Sequence, residues 1–359
     1  GGASHNFAVQ MSAQTSNVNN KTKRCTMETG VGLNGVFYDK ATNLTVIGNK
    51  SNPSVDVDRF FRLATGSQGV FNISNNTINS TSSIIGSHAV FQLNDALIGD
   101  STVNFNNNNV ITKSEVMALL GKSSGRGITF NIIGNTVITE SQRAIYGFKS
   151  VDSGEAKYNT ITTDNDCLGL PAELGVVVGS EFGGLEIAYN NLTSTNHTLL
   201  CGENGLNNNV HDNILEARSG FYSFVCKGNG HLISSNLMYG GNQTALLFKN
   251  AENCISSNDL IIQEIALGSA VRFDAGLVFG SKNNSVTNAN IRVTEGNLLE
   301  GIDGTNLGNG NFIDNNYYEV TGNGEWGIIY DNVTSLQELR RAWRVNVTGS
   351  QNNDLNSFE

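Results

Sequence analysis

The sequence predicts an all-β protein: a single right-handed parallel β-helix of about eleven coils, with a short helical cap at its C-terminus. The first observation behind this is a repeated phrase, apolar-x-x-Asn-x-apolar, as in Ile73-Ser-Asn-Asn76-Thr-Ile78, Ile132-Ile-Gly-Asn135-Thr-Val137 and Ile233-Ser-Ser-Asn236-Leu-Met238. Its Asn recurs as Asn49, Asn76, Asn108, Asn135, Asn159, Asn190, Asn213, Asn236, Asn258 and Asn316, with Ala289 in that place in one copy. Successive copies lie 22 to 32 residues apart, a period that means stacked units. The second observation is composition: 40 Gly, 2 Pro and abundant Asn favour short strands and tight turns over helices. The third is another apolar piece ahead of the phrase, as in Ala89-Val-Phe91, Val176-Val-Val178 and Ala270-Val-Arg-Phe273.

Taken in order, residues 1–30 are polar, with one alternating piece, Phe7-Ala-Val9-Gln-Met11, that reads as a strand. This stretch is expected to be an N-terminal cap or an irregular first coil, because a solenoid must close its open end. Coils then follow without a linker over residues 31–318. The two apolar residues of each phrase are five apart, which breaks alternation and demands a bend, and Asn tolerates the left-handed backbone a bend requires. Stacking would place Asn on Asn, each amide bonding to the next, with strands about 4.8 Å apart. A leucine-rich repeat would need a denser Leu frame, and a propeller blade about 40 residues and four strands. In the C-terminal cap, residues 319–359, Thr334-Ser335-Leu-Gln-Glu338 has capping-box spacing and predicts a helix over 335–343 that covers the end of the stack.

Composition excludes some functions. A formal charge of −10 disfavours nucleic acid, whose phosphates need a basic face. No apolar run of about 18 residues is present to insert into a membrane as a helix. The opening Gly-Gly-Ala-Ser has neither a signal peptide nor an initiator Met, so a processed product or a piece of a longer chain is expected. Five Cys, at 25, 167, 201, 226 and 254, show no CxxC or zinc spacing. Cys201 and Cys226 fall on neighbouring coils, within reach of a disulfide, although buried small hydrophobes are the simpler reading. Sequons nominate Asn20, Asn43, Asn49, Asn72, Asn75, Asn79, Asn191, Asn196, Asn242, Asn283, Asn332 and Asn346 as glycan acceptors. An Asn-rich, Ser/Thr-rich chain produces many such triplets by chance.

The Asn-phrase coils resemble the right-handed, pectin-lyase-like parallel β-helix superfamily over roughly residues 31–318. The C-terminal stretch is similar to the ending of secreted bacterial β-helix proteins: Tyr330, Ser335-Leu336, Thr348-Gly349, Asp354 and Ser357 follow their order, with Leu339 in the place of a Trp. The resemblance implies an extracellular, polysaccharide-directed setting and no particular activity. Locally, Thr163-Asp164-Asn165-Asp166-Cys167 and Gly175-Val-Val-Val-Gly179-Ser-Glu181-Phe-Gly183-Gly184 resemble polygalacturonase-type hydrolases. Asn165 replaces one acid of their pair, Leu174 stands at their His, and Ala144-Ile-Tyr146 stands at their Asn-Thr-Asp. This reads as shared coil geometry or a lost active site.

Two constellations are candidate chemistry. A glycosidase needs two carboxyls about 5–10 Å apart. Asp164 and Asp166 share a strand face and Glu181 lies one coil on, although a solvated acidic turn has the same pattern. A polysaccharide lyase needs a cation on the uronate carboxylate and a base for the C5 proton. Lys227, Lys249 and Arg272 fall one coil apart at strand ends, with Lys149 three coils earlier, and are expected to form a basic column. That column resembles the alginate- and chondroitin-lyase β-helix family. Gly220 and Tyr222 occupy the places of that family's calcium-binding acids, so no calcium site carries over. The simpler reading is that these cations cap strands and snorkel. His197, His211 and His231 lie on successive coils without metal spacing, and no cofactor motif is present. Tyr222, Tyr239, Tyr317, Tyr318, Trp326 and Trp343 could stack on sugars or fill the core and cap.

The expected function is an extracellular or cell-surface protein that binds or cleaves polysaccharide along its long face, elimination edging out hydrolysis. The rival is a non-enzymatic rod: a filament subunit, adhesin or virion tailspike, as a trimer or polymer. Loops over 77–102, 162–184 and 259–283 are the expected groove walls.

Overall fold

The computed structural model describes residues 6–11, 17–23, 26–27, 33–38, 41–51, 59–63, 67–79, 90–94, 97–113, 116–120, 128–140, 144–148, 151–163, 168–172, 182–201, 205–217, 220–274, 281–302, 311–314, 316–329 and 351–352. The chain divides into two compact units, Gly1–Leu185 and Glu186–Glu359. Among the described residues every element is a strand and every strand pairing is parallel, so the fold is a parallel β-solenoid. The helix predicted over 335–343 lies outside the described residues.

In the first unit each coil has three strands. One row runs Asn17–Lys23, Ala41–Ile47, Ser67–Ser74, Leu97–Asn106, Ile128–Ile133 and Val151–Lys157. A second runs Thr26–Met27, Lys50–Ser51, Thr77–Asn79, Asn109–Thr112, Thr136–Thr139 and Thr160–Thr163. The third begins with Asn6–Met11 on Leu33–Tyr38 and continues through Phe91–Asn94 to Leu168–Ala172. The Asn phrase spans the corner between the first two rows, and Phe91 of the other apolar piece opens a third-row strand, while Val176–Val178 lies outside the described residues. The N-terminal residues are therefore strands of a coil. Six rungs in the first row, matched by six in the corresponding row of the second unit, differ from the expected eleven because that first coil counts.

Alternation puts apolar residues inside. Phe71, Val103, Phe105, Phe130 and Ile132 line one wall, and Ile78, Val110, Val137 and Ile161 stack in another, all buried. Phe91 meets Phe60 and Phe105 edge-on at centroid distances of 5.4 and 5.2 Å. Each such buried Phe contributes about 2–3 kcal/mol relative to exposure.

The corner is held by amides. Asn49 Nδ2 donates to Asn76 Oδ1 at 2.9 Å, Asn76 to Asn108 at 2.9 Å, Asn108 to Asn135 at 3.0 Å and Asn135 to Asn159 at 2.9 Å. Each Oδ1 also accepts the previous rung's ladder N–H, and the Nδ2 of Asn76, Asn108, Asn135 and Asn159 bonds a backbone carbonyl of the previous coil. The left-handed residue is the one before the ladder Asn: Gly48, Asn75, Asn107, Gly134 and Tyr158 have φ of 53° to 68°. The expectation that the ladder Asn itself makes the bend is thus corrected by one position.

The second unit repeats this plan and then departs from it. Asn190, Asn213 and Asn236 continue an amide ladder, but the next ladder residue is Asp259 rather than Asn258. Asn258 is exposed and left-handed, φ 57°. The shift arises because Ser256, not Ile255, pairs with Ile233 and points inward, leaving Ile255 44% exposed. Ser256 Oγ donates to Asp259 Oδ2 at 2.6 Å, and Asp259 Oδ1 accepts from both Asn236 nitrogens. Ala289 follows, and its N–H donates to Asn316 Oδ1. The last coils fuse two strands into one, giving Leu260–Asp274, Asn290–Ile302 and Tyr317–Ile329, with Gln351–Asn352 added against Tyr317 and Tyr318.

A second corner column stacks Asn208, His231, Cys254, Asn284 and Asn311. Each of the first four follows a left-handed residue: Asn207, Gly230, Asn253 and Asn283. Burial pushes His231 down to about 4 and Asp259 up to about 6, since both lose hydration of their charged forms.

Candidate functional site

The basic column read from the sequence keeps only part of its register: Cys226 pairs with Phe248, so Lys227 and Lys249 follow the same rung on neighbouring strands, but Arg272 falls out of line. Lys249 pairs with Asp274, and Arg272 pairs with Leu247 two residues earlier. Lys227 sits at a register shift and is 7% exposed, with its carbonyl accepting the His231 Nε2–H. The expectation took a step of 23 residues from Lys249 to Arg272, whereas Phe248 and Phe273 pair 25 apart. Asp164, Asp166, Glu181 and Lys149 lie outside the described residues.

What the second unit builds instead is a mixed cluster on Arg272. Strands His197–Leu200, Tyr222–Asn229, Thr244–Glu252, Leu260–Asp274 and Asn290–Ile302 lie side by side. Along them, Phe224, Leu246, Val271 and Leu299 face the core in one column. Alternation turns Arg272 and Asp274 the other way, and Glu300 pairs with Arg272 on the next rung. Arg272 Nη2 lies 3.6 Å from Asp274 Oδ2, and Nη1 lies 3.6 Å from Glu300 Oε1. Ser269 Oγ donates to Glu300 Oε2 at 2.9 Å. All three charged side chains are mostly buried, with 14–18% of each exposed. Partial burial screens these pairs less than surface ion pairs, against a cost of desolvation.

Tyr222 borders the charges. Its hydroxyl donates to Gln243 Oε1, and its ring stacks on His197 at 5.4 Å and 12°. Burial raises the Tyr222 phenol above its usual value; Arg272 opposes the rise, and Asp274 and Glu300 add to it. Phe221 beside it is 45% exposed. The polar column His197, Tyr222, Thr244, Ser269, Asn297 runs along this edge. Within it the Thr244 Oγ1 is buried and has no hydrogen-bond partner among the described residues.

Sequence reasoning missed Asp274, Glu300 and Gln243. The available signal was the strand alternation Arg272-Phe-Asp274. Glu300 was hidden because Ile261 and Ile291 pair 30 residues apart whereas Arg272 and Glu300 pair 28 apart, two register shifts intervening.

The remaining candidates have structural places. His211 lies between Glu186 and Asp212 at 3.2 and 2.8 Å. Tyr318 is buried and its hydroxyl accepts from Asn316 Nδ2. Cys201, Cys226 and Cys254 are buried free thiols, so Cys201 and Cys226 are not joined. The ligand atoms of Cys226, His231 and Cys254 lie within 4.8 Å of one another. Both ring nitrogens of His231 are nevertheless engaged, Nδ1 accepting from the Asn208 N–H and Nε2 donating to the Lys227 carbonyl. The ring is therefore not offered to a metal.

Among the sequons, Asn79, Asn191, Asn242 and Asn283 are exposed, as is Asn75. Asn43 and Asn72 accept hydrogen bonds from neighbouring coils, and Asn196 is half-buried. Asn49 is fully buried, and the Nδ2 that a glycan would occupy donates to Asn76, so it is no acceptor in the folded chain. The side chains of Asn20, Asn332 and Asn346 lie outside the described residues.

These features define a parallel β-solenoid protein with a carboxylate–guanidinium–phenol cluster on an outward strand face. No family model and no curated protein matches the chain. Among solved structures it is similar to the Dettilon tailspike protein, at 10% identity over 82% of this chain and TM-score 0.33. It is also similar to the A-module of a mannuronan C-5 epimerase from Azotobacter vinelandii, at 8% identity over 89% of this chain and 90% of that one, TM-score 0.36. The catalytic domain of a GH87 alpha-1,3-glucanase in complex with nigerose matches at 15% identity over 94% of this chain, TM-score 0.40. The chain spans 61% of the tailspike and 64% of the glucanase chain.

Proposed function

We propose that the protein acts outside the cell on polysaccharide, and that it cleaves a glycosidic bond by hydrolysis at Asp274 and Glu300. The observation that carries this reading is Arg272 held between those two carboxylates beside Tyr222. Two carboxyl groups that each face one terminal nitrogen of a single guanidinium at 3.6 Å lie within roughly 10 Å of each other, inside the range used for acid–base or nucleophilic cleavage. One carboxyl protonates the leaving oxygen, and the other activates water or attacks the sugar directly. Tyr222 and the neighbouring Phe221 and His197 rings offer the apolar surface a pyranose face stacks on. Elimination is supported less well, since the guanidinium that would neutralise the uronate carboxylate, Arg272, already faces two carboxylates.

The test is incubation with a broad glycan panel, following reducing ends and absorbance near 235 nm together. Reducing ends without new absorbance are expected, and Asp274→Asn or Glu300→Gln should lower kcat by about 10²-fold or more with the melting transition retained. Absorbance gain would replace hydrolysis by elimination. Silence in both readouts across the panel would sink the enzyme reading and leave a binding rod.

A further inference from the structure

We propose that the Arg272 site takes a neutral glycan and turns away polyuronates; this specificity rests on the polysaccharide reading above. Both terminal nitrogens of Arg272 are already matched. Each terminal nitrogen of Arg272 faces its own carboxylate at 3.6 Å, and Lys249 stands opposite Asp274 in register. Two carboxyl groups thus stand over the one guanidinium, within a chain of formal charge −10. A uronate carboxylate would have to displace Asp274 or Glu300 from Arg272, and would meet both at close range in a partly desolvated setting. Glu300 is further held by Ser269, which resists that displacement.

A neutral sugar asks for what is present. The stacked His197 and Tyr222 rings and the exposed Phe221 supply an apolar edge. The Gln243 carboxamide borders the Tyr222 hydroxyl. In the cluster itself the Arg272 Nε is buried and has no hydrogen-bond partner among the described residues. A buried polar atom without a partner costs stability unless something completes it, and a hydroxyl-rich neutral ligand has the donors and acceptors to do so.

Calorimetric titration with neutral gluco-, manno- and galacto-oligosaccharides and with oligouronates, at low and high salt, tests this. A neutral oligosaccharide should bind with affinity nearly independent of salt, and oligouronates should not bind. Oligouronate binding that weakens with salt overturns the inference while sparing the polysaccharide reading. Binding of no glycan at all overturns both. Glu300→Gln, which releases one nitrogen of Arg272, should raise oligouronate affinity by about tenfold and weaken the neutral ligand. Asp274→Asn makes the same test from the other side if Glu300→Gln melts early. Two folded variants that still exclude uronates would contradict the proposed cause of exclusion.

Discussion

The two units solve the same stacking problem with different side chains. In the first, the ladder Asn49, Asn76, Asn108, Asn135, Asn159 is unbroken, and an outward column Asn72, Asn104, Asn131 is linked in the same way. In the second, the ladder changes to Asp259 and Ala289, and outward positions carry Arg272, Asp274 and Glu300. The difference follows from chemistry. A carboxamide donates at one end and accepts at the other, so identical copies satisfy each other at each rung. Identical charges on adjacent strands repel, so a charged cluster must alternate in sign and cannot be a repeat. Scaffold and chemistry therefore occupy different stretches of the chain.

The largest expected effect is a break in the uniform ladder. Asn135→Ala strips the acceptor from both Asn108 nitrogens and the donor from the Phe105 carbonyl and Asn159 Oδ1. A loss of about 4 kcal/mol is expected in urea unfolding; a loss under about 1 kcal/mol would show that the ladder is ornamental.

Next come the two titrating departures in the second unit, whose signs oppose. Asp259 is raised to about 6, so it binds protons more readily folded than unfolded; its contribution is complete below about 4 and lost as pH rises through about 6. His231 is lowered to about 4, so its contribution is present above about 6.5 and lost as pH falls towards 4. Each effect is about 3 kcal/mol, and in the native chain they nearly cancel. Asp259→Asn should make stability rise with pH from 4 to 6.5, and His231→Asn should make it fall from 4 to 6. Parallel pH profiles for the two variants would refute the pairing of opposite signs.

Smaller effects come from single positions. Ala289→Asn restores an oxygen that the preceding rung otherwise lacks and should add about 1 kcal/mol, read as a higher urea midpoint. Tyr158 is 60% exposed and left-handed at φ 57°, where Gly134 and Asn107 serve the neighbouring rungs. Tyr158→Gly should stabilise by about 0.5–1 kcal/mol, whereas a loss would mean that the ring packs usefully.

The fold was legible because the Asn phrase repeats a local corner, and a corner is written in adjacent residues. Asn258 was misread because Ile255 and Ser256 exchange the polarity the phrase expects, and only strand pairing reveals Ser256 as inward. The site was hardly legible. Arg272 stood out, but its partners depend on bulges that change the residue count between coils, as Gln263 to Ser269 does against Val293 to Asn297. Such length changes leave no mark in composition, so Glu300 could not be placed beside Arg272 from spacing.

The corner geometry has a consequence for how such a chain can change length. Asp212 and Ser235 are both left-handed, at φ 54° and 57°, and each hands on to a ladder Asn whose amide reaches the next rung. Their equivalence makes the 23 residues from Asn213 to Ser235 an exchangeable cassette: Asp212 joined directly to Asn236 meets the same backbone turn and the same acceptors. Excision would shorten the stack by one coil and remove Tyr222 with it. A family of such chains can thus gain or shed whole coils, and the sites they carry, without rebuilding a joint.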